Sequence, residues 1–233
     1  MTERLYSTEL LSDLPIIGAE CQKIRALANA YGTRYDFCRF YRHDGGFMAA
    51  LDGSFVISSG ERTDPTELSE FLKMHGYSDI FCSEGLAKAL CDSAAGTYSA
   101  VYRMDHNGCH GSGILPQERS PSEVWDIIGS RFDILFEPWY LDMSHRVRHG
   151  ISRCFRNEDS ALVVQHEING EALISQVCTR SGCEGRGSAS DLLRQVCGGL
   201  NAKAYVLCES QLCGFYRKCG FDFGGQTYAV LNK

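Results

Sequence analysis

Apolar and polar positions alternate along this chain in short runs that predict strands and amphipathic helices, with no long uniform stretch. Residues 21–31 carry apolar side chains at helical spacing and predict a helix. Phe47 to Leu51 and Ser54 to Ser58 predict two strands, joined at Asp52-Gly53, a two-residue hairpin signal. Asp64-Pro65 opens a helix that runs to about His75, with the carboxylate as cap, proline in the first turn and Gly76 as the stop. Tyr77 to Cys82 then predicts a strand, Glu84 to Ala94 a helix, and Thr97 to Met104 a strand. Residues 105–122 are polar and glycine-rich and hold Pro116 and Pro121, so they read as a loop and a boundary.

Beyond that loop, Ser120-Pro-Ser-Glu123 is a capping box that opens a helix to about Phe132. Residues 139–149 read as a second helical or irregular stretch. Strands follow near 151–156, 160–168 and 171–179, the last two joined at Asn169-Gly170. A turn bearing three glycines leads into a helix with Leu192, Leu193, Val196 and Leu200 on one stripe. A strand, Ala204 to Cys208, and a short helix near the end complete the pattern. The first half repeats the β–β–α–β–α–β order of the second but has no glycine turn. The expected fold is therefore α/β with a mixed sheet. Its domains would be 1–113, a smaller α/β unit, and 114–233.

The strand-to-helix turn after residue 179 is the most informative segment. Gly182, Gly185 and Gly187 let backbone N–H groups converge with no Cβ in the way. The following helix adds unpaired N–H groups and the positive end of its dipole. Together they suit a phosphate or diphosphate, although Gly-x-Gly at such a junction also serves as a plain tight turn. No Gly-Lys-Ser/Thr is present, which excludes a Walker A loop, and no G-x-G-x-x-G dinucleotide fingerprint occurs.

The run from Val177 through Glu184-Gly185-Arg186-Gly187-Ser188-Ala189-Ser190 to Leu192, followed by Glu209 through Phe221, resembles the GCN5-related N-acetyltransferase family. The family's Arg/Gln-x-x-Gly-x-Gly/Ala motif falls on Glu184-x-x-Gly187-x-Ala189. Its later segment ending in Tyr-x-x-x-Gly-Phe falls on Tyr216 to Phe221. The resemblance covers about the last 80 residues well, and the first half by element order only, as a degenerate domain of the same kind. Glu184 stands where the family carries Arg or Gln, and Glu209 stands near its usual Asn.

That resemblance implies acyl transfer from acetyl-CoA, as co-substrate, to a primary amine of a small molecule. Val177, Cys178 and Thr179 would pair with the pantetheine amides. Glu184, Gly185, Arg186, Gly187, Ser188 and Ala189 would hold the diphosphate, with Arg194 as a further cation. Tyr216 would protonate the leaving thiolate, although a core aromatic fits the same position. Candidates for the base are Glu209, His145, His149 or a relayed water. Trp139, Asp142 and His145 would meet the acceptor, with Asp142 facing a cationic amine. A non-catalytic acyl-CoA-binding regulatory module is the alternative, favoured by Glu184 and by the lack of an evident base on strand 171–179. The first domain, lacking a glycine turn, is expected to bind no second CoA and to help shape the acceptor site.

Charge and cysteine usage narrow the classes further. A net charge of -6 argues against a general nucleic-acid partner. No apolar run approaches the ~18–20 residues of a membrane span, and the acidic, mixed N-terminus does not read as a signal peptide. Twelve cysteines without a Cys-x-x-Cys pair read as small buried hydrophobes in a reducing cytoplasm rather than as a disulfide framework. Cys183, in the glycine turn, is the candidate reactive thiol. His106, Cys109 and His110 have ligand-like spacing but fall in a loop, so no metal is expected.

Overall fold

A computed structural model describes residues 2–15, 18–93, 97–108 and 111–232. Cys109 and His110 lie outside the described residues. The chain divides into two compact units, Met1–Val101 with Gln226–Lys233, and Tyr102–Gly225. The sequence reading draws its boundary at 113/114 instead. The reason for the difference is a strand that runs without a break from Thr97 to His106, and a last strand whose final residues return to the first unit.

The first unit holds β1 (Glu3–Leu5), α1 (Ala19–Tyr31), β2 (Cys38–His43), β3 (Gly46–Leu51), β4 (Ser54–Ser58), α2 (Pro65–His75), β5 (Asp79–Cys82), α3 (Glu84–Ser93) and the start of β6 (Thr97–His106). Strands β1 to β4 form an antiparallel meander. Asp52 and Gly53 both take positive φ, as a mirror-image hairpin turn requires. After β4 the chain crosses over through α2, so β5 lies parallel to β4. Met48, Ile57, Leu68, Leu72, Ile80 and Leu86 form the buried core.

The second unit adds α4 (Pro121–Ile128), α5 (Phe136–Arg148), β7 (Arg153–Arg156), β8 (Ser160–Ile168), β9 (Glu171–Thr179), α6 (Ser188–Gly199), β10 (Lys203–Cys208), α7 (Cys213–Lys218) and β11 (Phe221–Leu231). Strands β7, β8 and β9 are antiparallel, and β10 is parallel to β9 through the α6 crossover. Leu192, Leu193, Val196, Cys197 and Leu200 of α6 bury their stripe on Ile174, Ala204 and Val206. Val124, Ile127, Ile128 and Met143 of α4 and α5 pack with Ala161, Val163 and Cys178.

The halves exchange their last strands. Tyr102 to Asp105 of β6 pair with β10 in the second unit, and Tyr228 to Leu231 of β11 pair with β5 in the first. Each exchange covers a strand edge that would otherwise expose unpaired N–H and C=O groups.

Several elements differ from the sequence reading. The α4 helix ends at Ile128, not near Phe132, with Gly129 as its C-cap; Trp125 covers that glycine, and a Cβ there would lie 2.5 Å from the indole. Its capping box forms as read. Strands β1, β2 and β11 carry no clear alternation and are missing from the reading. β11 includes Gly224-Gly225, and a Cβ on Gly224 would meet the Asp105 carboxylate at 2.5 Å. That glycine permits close strand approach.

At α2 the Asp64 carboxylate accepts from the N–H groups of Thr66 and Glu67. Asp64→Ala should cost about 1 kcal/mol and lower Tm by about 2–4 °C, while Asp64→Asn, which keeps the cap, should not. Thermal melts check this; equal Tm values for wild type and Asp64→Ala would show that the cap bonds contribute nothing.

Candidate functional site

Parallel pairing of β9 with β10 stops at Ile174 and Val206. The cause lies on the other edge of β9. Ala161 faces Cys178 but Val163 faces Ser175, so β9 carries one residue more than β8 over this span. Gln176, with φ of 51°, is at that bulge. A positive φ costs a side-chain-bearing residue about 1–3 kcal/mol and persists only when its surroundings hold it. Here the Trp139 indole N–H donates to the Gln176 amide oxygen at 3.1 Å. Beyond the bulge the two strands part, and a cavity of about 620 Å³ opens beside them. That volume is within the usual ~300–1,000 Å³ of small-molecule sites.

One wall is Val177, Cys178 and Thr179 of β9. The opposite wall is Leu212, Phe215 and Tyr216, and the far end is the turn 183–190. All nine residues read from the sequence as cofactor-binding line this cavity, together with Tyr216. Gly182, Gly185 and Gly187 adopt φ of 83°, 76° and 83°. A Cβ on Gly182 or Gly185 would meet nothing within 4 Å, so backbone conformation and not crowding demands glycine there. Gly187 caps α6, and the first helical bond runs from Asp191 N–H to its carbonyl. The N–H groups of the preceding residues are thus left outside the helix ladder. The turn is pinned from below: Ser188 donates to Asn157 at 3.0 Å, and Ser160 bonds both Ser188 and Thr179 at 2.9 Å.

Tyr216 is 6% exposed, and burial pushes its phenol pKa up, with Cys208, Cys219 and Cys178 adding to the shift. The hydroxyl therefore stays protonated through the neutral and mildly alkaline range. Phe215 and Phe221 hold its ring edge-on, with centroids at 5.1 and 5.6 Å. Cys178 is likewise pushed up by burial, to about 11.

The remaining sequence candidates are elsewhere. Glu209 is exposed, precedes a short 3₁₀ turn and accepts from the Gln211 amide at 2.7 Å; it does not line the cavity. Asp142 is engaged by Arg146 at 2.8 Å, and His145 packs against His149 with ring centroids 4.2 Å apart. Trp139 packs against Trp125, with rings tilted by 41°, and supports the bulge through Gln176. Arg180 binds Asp126 and Arg194 binds Asp191. Glu184 lines the cavity and pairs with Arg131, at 2.7 Å. Arg131 and Phe132 line the cavity unforeseen, because they follow a helix that ends earlier than its pattern suggests. Among the described residues no group of His, Cys, Asp and Glu is placed to hold a metal ion, and no helix is long and apolar enough to cross a membrane.

The reading of Cys183 as a reactive thiol needs correction. Its side chain bonds Asp159, and that bond raises the thiol pKa, the direction opposite to that of a reactive thiolate. Mass-spectrometric alkylation with iodoacetamide at pH 7 should label Cys183 more slowly than an unstructured cysteine peptide. Faster labelling would remove this account.

No protein-family model matches the sequence, and no curated protein matches it. Solved structures do. An acetyltransferase of the GNAT family from Colwellia psychrerythraea aligns over 100% of both chains, at 11% identity and TM-score 0.55. A GCN5-related N-acetyltransferase from Kribbella flavida aligns over 93% of this chain and 96% of its own, at 13% and 0.58. One from Sphaerobacter thermophilus aligns over 97% and 89%, at 15% and 0.59. The chain has the α/β fold of the GCN5-related N-acetyltransferases.

Proposed function

We propose that the second unit transfers an acyl group, acetyl in the simplest case, from acyl-CoA to a primary amine of a small molecule. The observation that carries this reading is the cavity opened by the Gln176 bulge, with a glycine turn at one end and a buried, protonated phenol in its wall. The residues fit such a co-substrate. Gly185 leaves open space above a positive-φ backbone, where a diphosphate would approach N–H groups of the turn directly. The unpaired edge of β9 past Ile174 offers backbone groups to the pantetheine amides. When bound, the thioester supplies an activated acyl carbon and a thiolate leaving group. Tyr216 donates its phenolic proton to that thiolate. Glu184 is the sole carboxylate among the lining residues, and Arg131 and the Gly182 N–H occupy it. The proposed acid–base set therefore reduces to Tyr216 and solvent, which takes the amine proton. That missing base is also what favours the non-catalytic binding module, and turnover of acetyl-CoA with an amine panel separates the two.

The first unit lacks the same seat. In its matching turn Asp64 already occupies the N–H groups of α2, Pro65 has none to give, and a Cβ on Gly60 would lie 2.1 Å from the Gly45 carbonyl. Calorimetric titration should give one CoA per chain, and CoA at about 100 times its Kd should stabilise the fold by roughly 2.7 kcal/mol. Gly187→Val should abolish binding in a protein that still folds. Two equivalent sites, or full affinity in the folded variant, would refute this assignment.

Tyr216→Phe should lower kcat by roughly 10²–10⁴-fold with CoA affinity retained. With solvent as the base, kcat/KM should rise about tenfold per pH unit toward the pKa of the amine, near ~10 for an alkyl amine. Because the Tyr216 pKa is raised, its ionisation should not cut this rise short. A plateau near neutrality that ignores the amine's own pKa would point to an enzymic base.

A further inference from the structure

We propose that Arg131 is a diphosphate-binding residue of the cavity and that Glu184 holds it in position. This rests on the acyl-CoA reading above. A carboxylate in a cavity shaped for an anion is unfavourable on its own. Here both Glu184 oxygens are engaged: Oε1 accepts from Arg131 Nη1 at 2.7 Å, and Oε2 accepts from the Gly182 N–H at 2.7 Å. Its own backbone N–H, then the Gly182 N–H and the Arg131 charge, keep that carboxyl below its ordinary range, so it stays ionised. Arg131 reaches the turn from the segment after α4, and both residues line the cavity.

A guanidinium carries five N–H donors in a fixed fork, and Glu184 uses one nitrogen of it. The other donors have no acceptor among the described residues and remain available to an anion. Of the other cations near the turn, Arg180 is bound to Asp126 and Arg194 to Asp191, neither lining the cavity, while Arg186 lines it beside Arg131 and makes a 3.4 Å bond to the Gly182 carbonyl. The positive charge of Arg131 also acts on Cys178, where it opposes the upward effect of burial. It is therefore felt where β9 enters the turn. Glu184 cancels roughly one charge but fixes the fork, so bidentate geometry is gained at a site that backbone N–H groups already favour.

Titration calorimetry with CoA, dephospho-CoA and pantetheine tests this. Arg131→Gln should weaken CoA and dephospho-CoA alike by about tenfold or more, as expected for a charge-assisted bond, and leave pantetheine unchanged. Arg131→Lys, which keeps the charge but loses the fork, should show a smaller loss of the same pattern. Arg131→Glu combined with Glu184→Arg should recover CoA affinity to within a few-fold of wild type, because a cation again faces the cavity. Each variant is compared at equal ligand-free Tm. Unchanged CoA affinity in Arg131→Gln would overturn the inference, as would an equal loss for pantetheine. A loss confined to CoA would move the contact to the 3′-phosphate and overturn the diphosphate assignment. Failure of the wild type to bind CoA would instead sink the acyl-CoA reading itself.

Discussion

The second unit depends on one backbone distortion, the bulge at Gln176. The bulge lies where β9 leaves β10, and the cavity between Val177 and Tyr216 opens beyond it. The bulge inserts one residue opposite β8, turns the end of β9 and stops the parallel ladder at Ile174 and Val206. Its cost is met by its surroundings, since Trp139 binds the Gln176 amide and Trp125 packs against Trp139. The aromatic residues of α4 and α5 thereby act on the cavity from outside it. This gives Trp139 a supporting role where the sequence suggested contact with an acceptor.

The first unit shows what the same element order does without that distortion. Its β3–β4 ladder runs in regular register from Phe47–Ser58 to Leu51–Ser54. The helix start that follows is capped from within by Asp64. At α6 the equivalent position is Gly187, which has no side chain to donate to or accept from its own helix. The two halves thus diverge at a single physical question: whether the helix N–H groups are satisfied by the chain or left for a ligand.

Much of this was legible before any coordinates. Hydrophobic period and turn chemistry located α1, α2, α3, the two hairpins and the α6 stripe, because local signals there agree with the tertiary outcome. The glycine turn and Tyr216 were legible too, and the structure brings them to one cavity. What escaped has common causes. β2 mixes Arg39, Arg42 and His43 with Cys38 and Phe40, so its alternation is blurred. β11 hides behind Gly224-Gly225, whose role is close approach to Asp105. The exchange of β6 and β11 is a long-range pairing, and no local pattern encodes it. Arg131 was invisible because its meaning lies in a partner 53 residues away.

The charge balance raises a last point. The chain is acidic by six charges, yet the proposed ligand is an anion. At physiological ionic strength screening acts over about 8 Å, so remote carboxylates contribute little inside the cavity. What matters is the local set: the α6 dipole, the positive-φ N–H groups and the cations at the rim. Of the acidic residues near the turn, Asp126 is consumed by Arg156 and Arg180, Asp191 by Arg194 and Glu184 by Arg131. With these three carboxylates paired and Asp159 bonded to the Cys183 thiol, the field at the turn is set largely by backbone N–H groups and by the guanidinium donors that those pairs leave over. An acidic surface and an anion-binding turn are therefore compatible in one molecule.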